Sequence, residues 1–266
     1  MKLNNIKIDQ IRLMVPVRDQ KLKTNEFPFE LKAINSLFNF DTLFSEKTVM
    51  RFGRNGYTLS VSYGSENQGE LVTIMFNPNR LDMGLLIDFT ASGKALFESL
   101  CKLQDIKVNW KKIIELIYQK FRGHISRIDI AIDLIDYNFS INEIFAKLKC
   151  EEYIFLNARN QAITEDRIKY IGTKKEVLTI YVGSRRSDAF LRLYNKKQEQ
   201  SDNKGLYRLV ADKHDNWVRF EGEFKHREAH AIGAMISTLN TNNIYPYLAG
   251  CILKHWKMVI NVGSQE

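Results

Sequence analysis

The sequence has 266 residues, which is enough to bury one large core or two small ones. With 44% hydrophobic and 26% charged residues and no segment of low complexity, it is typical of a globular protein, so a disordered or fibrous class is excluded. The 39 Lys and Arg residues exceed the 31 Asp and Glu residues, and the resulting net charge of +8 favours a polyanionic partner such as nucleic acid.

The first half of the sequence predicts several strands and two helices. Residues 1–48 have no pattern that assigns them. Asn55 and Gly56 predict a tight turn between strands at 49–52 and 57–63, because Asn-Gly is the preferred two-residue hairpin turn. The other predicted elements are strands at 70–76 and 85–89, and helices at 92–103 and from 110 to about 121.

The second half contains two strands that each have one apolar and one charged face. Apolar side chains occupy every second position of 128–134 and of 218–224. A capping box at 140–143 opens a helix that runs to about 149. Other strands are predicted at about 168–171, 176–182 and 189–194, and a helix at about 227–239. Strands followed by helices in each half predict an α+β fold, with antiparallel sheets and helices packed on one face.

Two features of the sequence concern location. No window reaches the roughly 18 uninterrupted apolar residues of a membrane span, and the N-terminus lacks the apolar run of a signal peptide. Cys101, Cys150 and Cys251 are odd in number and widely spaced, which fits neither a disulfide framework nor a zinc knuckle. We therefore expect a soluble, cytoplasmic protein with reduced thiols.

The segment 190–200, Phe-Leu-Arg-Leu-Tyr-Asn-Lys-Lys-Gln-Glu-Gln, carries the clearest chemical signal. It predicts a short strand that breaks at Asn195 into a Lys-rich polar turn. Because side chains alternate along a strand, Arg192 and Tyr194 share one face, and Lys196 follows them if the strand continues. Cations beside a tyrosine favour its phenolate and attract a phosphodiester, which suits a nucleophile. The same pattern is also typical of an amphipathic edge strand with solvated charges.

Four segments resemble the Rep_trans family of rolling-circle plasmid replication initiators from Gram-positive bacteria, and they follow one another along the chain in the family's order. Segment 186–203 resembles the family's active-site segment, and segment 76–81, Phe-Asn-Pro-Asn-Arg-Leu, its strand-to-turn signature. Segment 126–133 resembles its Arg-x-Asp-x-Ala-x-Asp strand, and segment 217–225 its Arg-x-Glu-x-Glu strand. The resemblance implies a Rep/relaxase-like fold of two related α+β halves. We expect an N-terminal half at 1–120, a catalytic half at 121–240 and a C-terminal segment at 241–266.

The resemblance also implies a reaction and a set of partners. Tyr194 would nick one strand at the plasmid double-strand origin, in a single-stranded or extruded hairpin segment, giving a 5′-phosphotyrosyl link and a free 3′-OH, and the strand would later be rejoined. A free tyrosine has a pKa of about 10, so a metal ion and Lys196 together would stabilise the phenolate. Family members act as homodimers and use a host UvrD-like helicase and a host polymerase. No Gly-x-x-x-x-Gly-Lys-Ser/Thr loop is present in the sequence, so unwinding must come from outside.

Carboxylates on the charged faces of the two strands predict a metal site. If the apolar faces of both strands pack on the same helices, Asp129 and Glu221 project from the same open face, where they would repel one another without a cation. All-oxygen ligation suits Mg²⁺ or Mn²⁺. Asp129 and Glu221 are the expected direct ligands. Asp133 lies roughly 13 Å from Asp129 by strand rise, so either Asp133 or Glu223 would reach the ion through water.

Basic residues around the tyrosine are the predicted DNA contacts, and the histidines are expected to have no role in a metal site. The predicted contacts are Lys174, Lys175, Arg185, Arg186, Arg192 and Lys197. His226 and His230 have the i, i+4 spacing that can bind zinc, but no third ligand is evident. His124 and His214 have no evident partner.

The sequence contradicts one alternative function and leaves three others open. A tyrosine recombinase or type IB topoisomerase would need an Arg-His-Arg cluster in a helical domain, which the predicted strands contradict. A relaxase that nicks at oriT of an integrative conjugative element shares the tyrosine segment, and sequence alone does not separate it from a plasmid initiator. A non-enzymatic nucleic-acid-binding protein would instead stack bases on Tyr181, Phe190 and Tyr194. The last alternative is a basic α+β protein whose partner the sequence does not indicate.

Overall fold

The computed structural model of the chain describes residues 3–18, 20–23, 25–50, 54–65, 71–173, 177–202 and 207–264. Its contacts divide the chain into two compact units. The Tyr194 unit consists of residues 1–8, 129–225 and 245–266, and the N-terminal unit consists of residues 9–128 and 226–244. The units are therefore not consecutive along the chain. The chain changes unit after residues 8, 128, 225 and 244. The expected division at 1–120, 121–240 and 241–266 stays a prediction.

The N-terminal unit is built on antiparallel strands in the order β2-β3-β4-β5-β1. The strands are β1 (Leu3–Val15), β2 (Lys47–Met50), β3 (Leu59–Tyr63), β4 (Val72–Phe76) and β5 (Leu85–Phe89). Its helices are α1 (Glu30–Phe38), α2 (Phe40–Leu43), α3 (Ala91–Leu103), α4 (Trp110–Gln119) and, later in the chain, α8 (His226–Thr238). α4 packs on α8, and α3 packs on β4 and β5.

Aromatic side chains fill the core of the N-terminal unit. Phe40 stacks on Phe38 and on Tyr63 with ring centroids 5.0 Å apart in each pair. Phe89 and Phe97 meet each other edge-on at 5.4 Å, and both also contact Phe38 and Phe40. All five rings are buried. Because burial of one such ring contributes about 1.5–3 kcal/mol, this cluster holds α1, α2 and α3 on the sheet.

The Tyr194 unit has its own strands, in the order β6-β11-β10-β9-β8. They are β6 (His124–Ile135), β8 (Ile168–Gly172), β9 (Val177–Val182), β10 (Ala189–Asn195) and β11 (Trp217–Lys225), and β7 (Tyr153–Leu156) pairs separately with β12 (Lys257–Ile260). The helices are α5 (Ile141–Lys149), α6 (Lys196–Asp202), α7 (Arg208–Ala211) and α9 (Tyr245–His255). The chain passes from the N-terminal unit into this one within β6.

One face of this second set of strands is apolar. Leu191 and Leu193 of β10 are fully buried, and α5 contacts β9 and β10. Gly222 of β11 lies opposite Leu191, and a Cβ at Gly222 would fall 2.3 Å from Ile252 of α9. The glycine therefore lets α9 approach the sheet closely, and the opposite face of the same strands carries the polar side chains.

The α+β class is confirmed, with antiparallel pairing between the strands whose registers are known. The hairpin is confirmed by the β2–β3 pair and by positive φ at Asn55 and Gly56, although residues 51–53 lie outside the described ones. The capping box at Ser140 is also confirmed. The prediction of a Lys-rich turn after Asn195 is wrong, because α6 begins directly after β10. Among the described helices, none has the length and hydropathy to cross a membrane.

Candidate active site around Tyr194

Tyr194 lies in the interior of the sheet. β10 pairs with β9 on one side and with β11 on the other, so Tyr194 has Thr179 and Arg219 as its cross-strand neighbours. The interpretation of this segment as an edge strand is therefore wrong. The tyrosine is 8% exposed, and an open cleft of about 260 Å³ runs beside it, lined by both strand and α6 residues.

Glu221 is the centre of the hydrogen bonds around Tyr194. The Tyr194 hydroxyl donates to Glu221 Oε2 at 2.8 Å, and Arg192 Nε donates to Glu221 Oε1 at 3.0 Å. A second guanidinium nitrogen of Arg192 also donates to Oε1. Arg192 and Glu221 are direct cross-strand partners, which explains why the pair forms. Both oxygens of this buried carboxylate are thus engaged.

Arg192 places a permanent positive charge beside the phenol. Its guanidinium carbon lies 5.1 Å from the centroid of the Tyr194 ring. Burial alone would lower the pKa of Arg192, but attraction to Glu221, Tyr194 and Asp129 outweighs it and raises that pKa above its usual value. Since the side chain is still 38% exposed, the cation is accessible from the cleft.

Lys196 is the second cation beside Tyr194, although the strand does not continue as far as this residue. It is the first residue of α6, and its ammonium lies 5.7 Å from the Tyr194 ring centroid. Its Nζ also pairs with Glu199 at 2.7 Å. The helix therefore brings Lys196 near the tyrosine where a strand was expected to do so. The sequence interpretation gave Glu199 no role.

The carboxylates of β6 and β11 do face the same side, but that side is buried rather than open. Arg219 donates to both oxygens of Asp133, at 2.6 and 2.8 Å, and the two side chains are 0% and 1% exposed. Asp129 and Glu221 are each 2% exposed. α6 packs against β11 and α7, and it contributes to covering this face. Arg219 lies in segment 217–225, in which only the carboxylates were predicted to have a role.

The arrangement does not fit a ready-made metal site. Within the described ranges, no group of three or more His, Cys, Asp or Glu side chains is placed to hold an ion. Asp133 is bound to Arg219 through both oxygens, and Glu221 is bound to Tyr194 and Arg192. The metal-binding roles of Asp129, Asp133 and Glu221 stay predictions. A divalent ion at Glu221 would have to replace one of these partners.

The predicted DNA contacts are placed differently from one another. Arg185 and Arg186 are exposed in the turn between β9 and β10, while Arg192 lines the tyrosine cleft. Lys197 donates to the backbone carbonyl of His214 at 2.5 Å, so in this structure it ties α6 to the segment before β11. Lys174 and Lys175 lie outside the described residues. The DNA-binding role of all six stays a prediction.

The histidines have partners that the sequence did not indicate. His124 packs against His230 with ring centroids 5.3 Å apart, in the N-terminal unit. Burial first, and then the charge of His230, lowers the pKa of His124. His214 Nδ1 lies 2.9 Å from Asp136 Oδ2, and this contact, opposed by a smaller effect of burial, lowers the pKa of Asp136.

Comparisons with known proteins identify the family. The family model described as replication initiation factor, Rep_trans, matches residues 123–265, which is more than half of the chain and includes every residue around Tyr194. The chain belongs to the Rep_trans family. The predicted family is thereby confirmed; the matched residues contain three of the four segments, and the resemblance of segment 76–81 stays a prediction.

Two individual proteins resemble this Rep_trans chain. One is a Bacillus subtilis (strain 168) protein assigned as the DNA relaxase NicK, 26% identical over 186 residues. That match covers 66% of this chain but 49% of NicK, so the chain spans about half the length of this curated relative. The other is the rolling circle replication initiator protein from Geobacillus stearothermophilus, whose structure matches with a TM-score of 0.69 at 19% identity. It covers 99% of this chain and 89% of the other, and at this identity it shows a shared fold.

Proposed function

We infer that this Rep_trans chain initiates rolling-circle replication by nicking one strand at a plasmid double-strand origin, with Tyr194 as the nucleophile. The observation that supports this proposal is the Tyr194–Glu221 hydrogen bond flanked by Arg192 and Lys196. A buried phenol with a carboxylate acceptor and two cations is arranged for attack on an anionic ester. Origin DNA as the partner and a cytoplasmic location accord with this function.

The chemistry is a transesterification in which atoms and charge balance. The Tyr194 oxygen attacks the scissile phosphorus while its proton passes to Glu221 Oε2, which already accepts the hydroxyl at 2.8 Å. The bond from phosphorus to the 3′ oxygen breaks, and that oxygen takes a proton from solvent, which leaves a 5′-phosphotyrosyl link and a 3′ hydroxyl. Arg192 and Lys196 offset the charge that builds on the phosphoryl oxygens. Reversal with a second 3′-OH rejoins the strand without ATP.

The cofactor and partners remain part of the proposal. Mg²⁺ or Mn²⁺ at Asp129 and Glu221 would require Glu221 to exchange a present partner, so no step above depends on the ion. A homodimer at an inverted-repeat origin, a UvrD-like host helicase and a host polymerase are expected from family membership. A relaxase that nicks at oriT of a conjugative element is the second candidate, and the match to the protein assigned as a DNA relaxase favours it.

Covalent trapping tests the nucleophile. Wild-type protein with Mn²⁺ and a labelled single-stranded origin oligonucleotide should give an adduct that resists denaturation. Tyr194→Phe should give none while keeping its origin affinity, because only the hydroxyl is lost. Tyr170→Phe, which removes a phenol outside the cleft, is the matched control and should form the adduct normally.

Two results would overturn the assignment. Adduct at the wild-type level in Tyr194→Phe would move the nucleophile elsewhere, with Tyr181 the next candidate. Tight binding by wild-type protein without any adduct would favour the non-enzymatic binder. Origin and oriT oligonucleotides compared side by side separate the plasmid initiator from the conjugative relaxase.

A further inference from the structure

A second and larger cleft lies beside the tyrosine cleft in the same unit. Its volume is about 1240 Å³, and Tyr181 lines both clefts. Its lining carries four cations, Arg167, Lys169, Arg185 and Arg186, and one carboxylate, Asp166. All four cations are exposed, and within the described part of the chain none of them forms a salt bridge. The cleft is therefore suited to an anionic ligand.

A stack of two aromatic rings, with a guanidinium beside both of them, lies where the two clefts meet. The rings of Tyr181 and Phe190 stack with centroids 5.3 Å apart and planes inclined by 26°. The Arg185 guanidinium carbon lies 5.0 Å from the Tyr181 centroid and 5.7 Å from the Phe190 centroid. Arg185 Nη2 donates to the Tyr181 hydroxyl at 3.1 Å. Phe190 is buried and Arg185 is exposed, so the guanidinium is the solvent side of the stack.

The register places this stack next to the candidate nucleophile. Tyr181 of β9 is the direct partner of Arg192, and Tyr194 is the partner of Thr179. Tyr181 and Tyr194 are therefore diagonal neighbours on adjacent strands, a relation that separates side chains by roughly 7–8 Å. A nucleotide whose base reached the stack would thus adjoin the phosphate at Tyr194.

We propose that this cleft binds the unpaired nucleotides adjoining the scissile phosphate, with one base stacked against the Arg185 guanidinium and the Tyr181 ring, which Phe190 supports from the buried side. The proposal rests on the nicking function proposed above. Planar cations and aromatic rings stack on any base, whereas the remaining cations of the cleft hold backbone phosphates. Bases inside a duplex are already stacked on each other, so the site selects single strands without selecting a sequence.

Binding to a short oligothymidylate that carries one 2-aminopurine tests the proposal on the full chain. The 2-aminopurine fluorescence should fall on binding to wild-type protein, because stacking quenches it. Tyr181→Leu should weaken single-strand binding roughly 10-fold or more and abolish the quenching, since loss of one base stack typically has an effect of this size. Tyr181→Phe keeps the ring and should restore both signals.

Two controls separate stacking from charge. Arg186→Gln should weaken single-strand and duplex binding alike and leave the quenching of bound probe intact. The proposal would be overturned if Tyr181→Leu changed the affinity for single strands less than twofold and kept the quenching. It would also be overturned if Tyr181→Leu weakened duplex binding as much as single-strand binding. Adduct formation is measured separately. If wild-type protein forms the adduct but Tyr181→Leu changes neither affinity nor quenching, only the stacking site is refuted. If Tyr181→Leu loses the base stack but wild-type protein forms no adduct, only the nicking function is refuted.

Discussion

Breaking the Asp133–Arg219 pair should destabilise the Tyr194 unit more than any surface change. Both side chains are essentially inaccessible to solvent, and they are joined by two hydrogen bonds of 2.6 and 2.8 Å. Removing one partner leaves a buried charge without compensation, which typically costs about 3–5 kcal/mol. With a urea m-value of about 2.5–3 kcal/mol per M, the unfolding midpoint should fall by about 1–2 M.

A double-mutant cycle makes this expectation specific. Asp133→Leu and Arg219→Met should each show the large loss, whereas the double variant should lose much less, because apolar residues can replace a buried ion pair at little cost. Fluorescence of Trp217, which is buried in β11, reports unfolding of this unit. Single variants that lose less than about 1 kcal/mol, or additive losses in the double variant, would refute the reasoning.

A third variant, Asp133→Asn, decides between two roles for Asp133. As a partner of Arg219 it stabilises the fold, so Asp133→Asn should lower the midpoint and leave Mn²⁺ affinity unchanged in calorimetry. As the predicted metal ligand it would show the reverse, with weakened Mn²⁺ binding and almost unchanged stability. The two readouts are independent of DNA cleavage, and so a folding defect cannot be mistaken for a catalytic one.

Three further changes have defined outcomes. Glu221→Gln should slow single-turnover adduct formation by roughly 10² or more, because the acceptor for the Tyr194 proton is lost, and a rate within threefold of wild type would exclude that role. Gly222→Ala should lower stability by about 1–3 kcal/mol in thermal unfolding, since the new methyl group would meet Ile252 at 2.3 Å and Trp256 at 3.1 Å, and an unchanged melting temperature would show that α9 moves freely. Because the pKa of His124 is lower in the folded state than its usual 6.5, the unfolded state takes up a proton first as the pH falls. The free energy of unfolding should therefore be full above pH 6.5 and decline below it. Urea titrations at pH 8 and pH 5 should show this decline in the wild type, and His124→Gln should remove it.

Local patterns in the sequence were sufficient for most strands of the Tyr194 unit. The alternation in 128–134 and 218–224 predicted β6 and β11, and the Ser140 capping box predicted the start of α5. These features depend on residues close together in the chain. β1 was missed, although its thirteen residues form the longest strand described, because its partners come from distant parts of the chain.

The environment of the polar face was harder to predict than its composition. Alternation showed that Asp133 and Arg219 lie on charged faces, but a charged face is usually solvated. α6 begins where a turn was expected and packs against β11, and the polar side chains around Tyr194 and Glu221 are buried. Burial converts the solvated charges into paired ones, since unpaired charges are too costly there.

Glu221 connects the two accounts of the chemistry that the sequence and the structure favour. As a metal ligand Glu221 would coordinate a divalent ion through its carboxylate oxygens. As a proton acceptor it needs Oε2 for the Tyr194 hydroxyl. Its Oε1 is already neutralised by Arg192, whose charge is fixed by the protein at every relevant pH. A divalent ion would bring twice that charge but would have to displace Arg192 or Tyr194 to reach the carboxylate. Metal affinity measured with Arg192 intact and with Arg192→Gln therefore reports directly whether the guanidinium and the ion compete for one place.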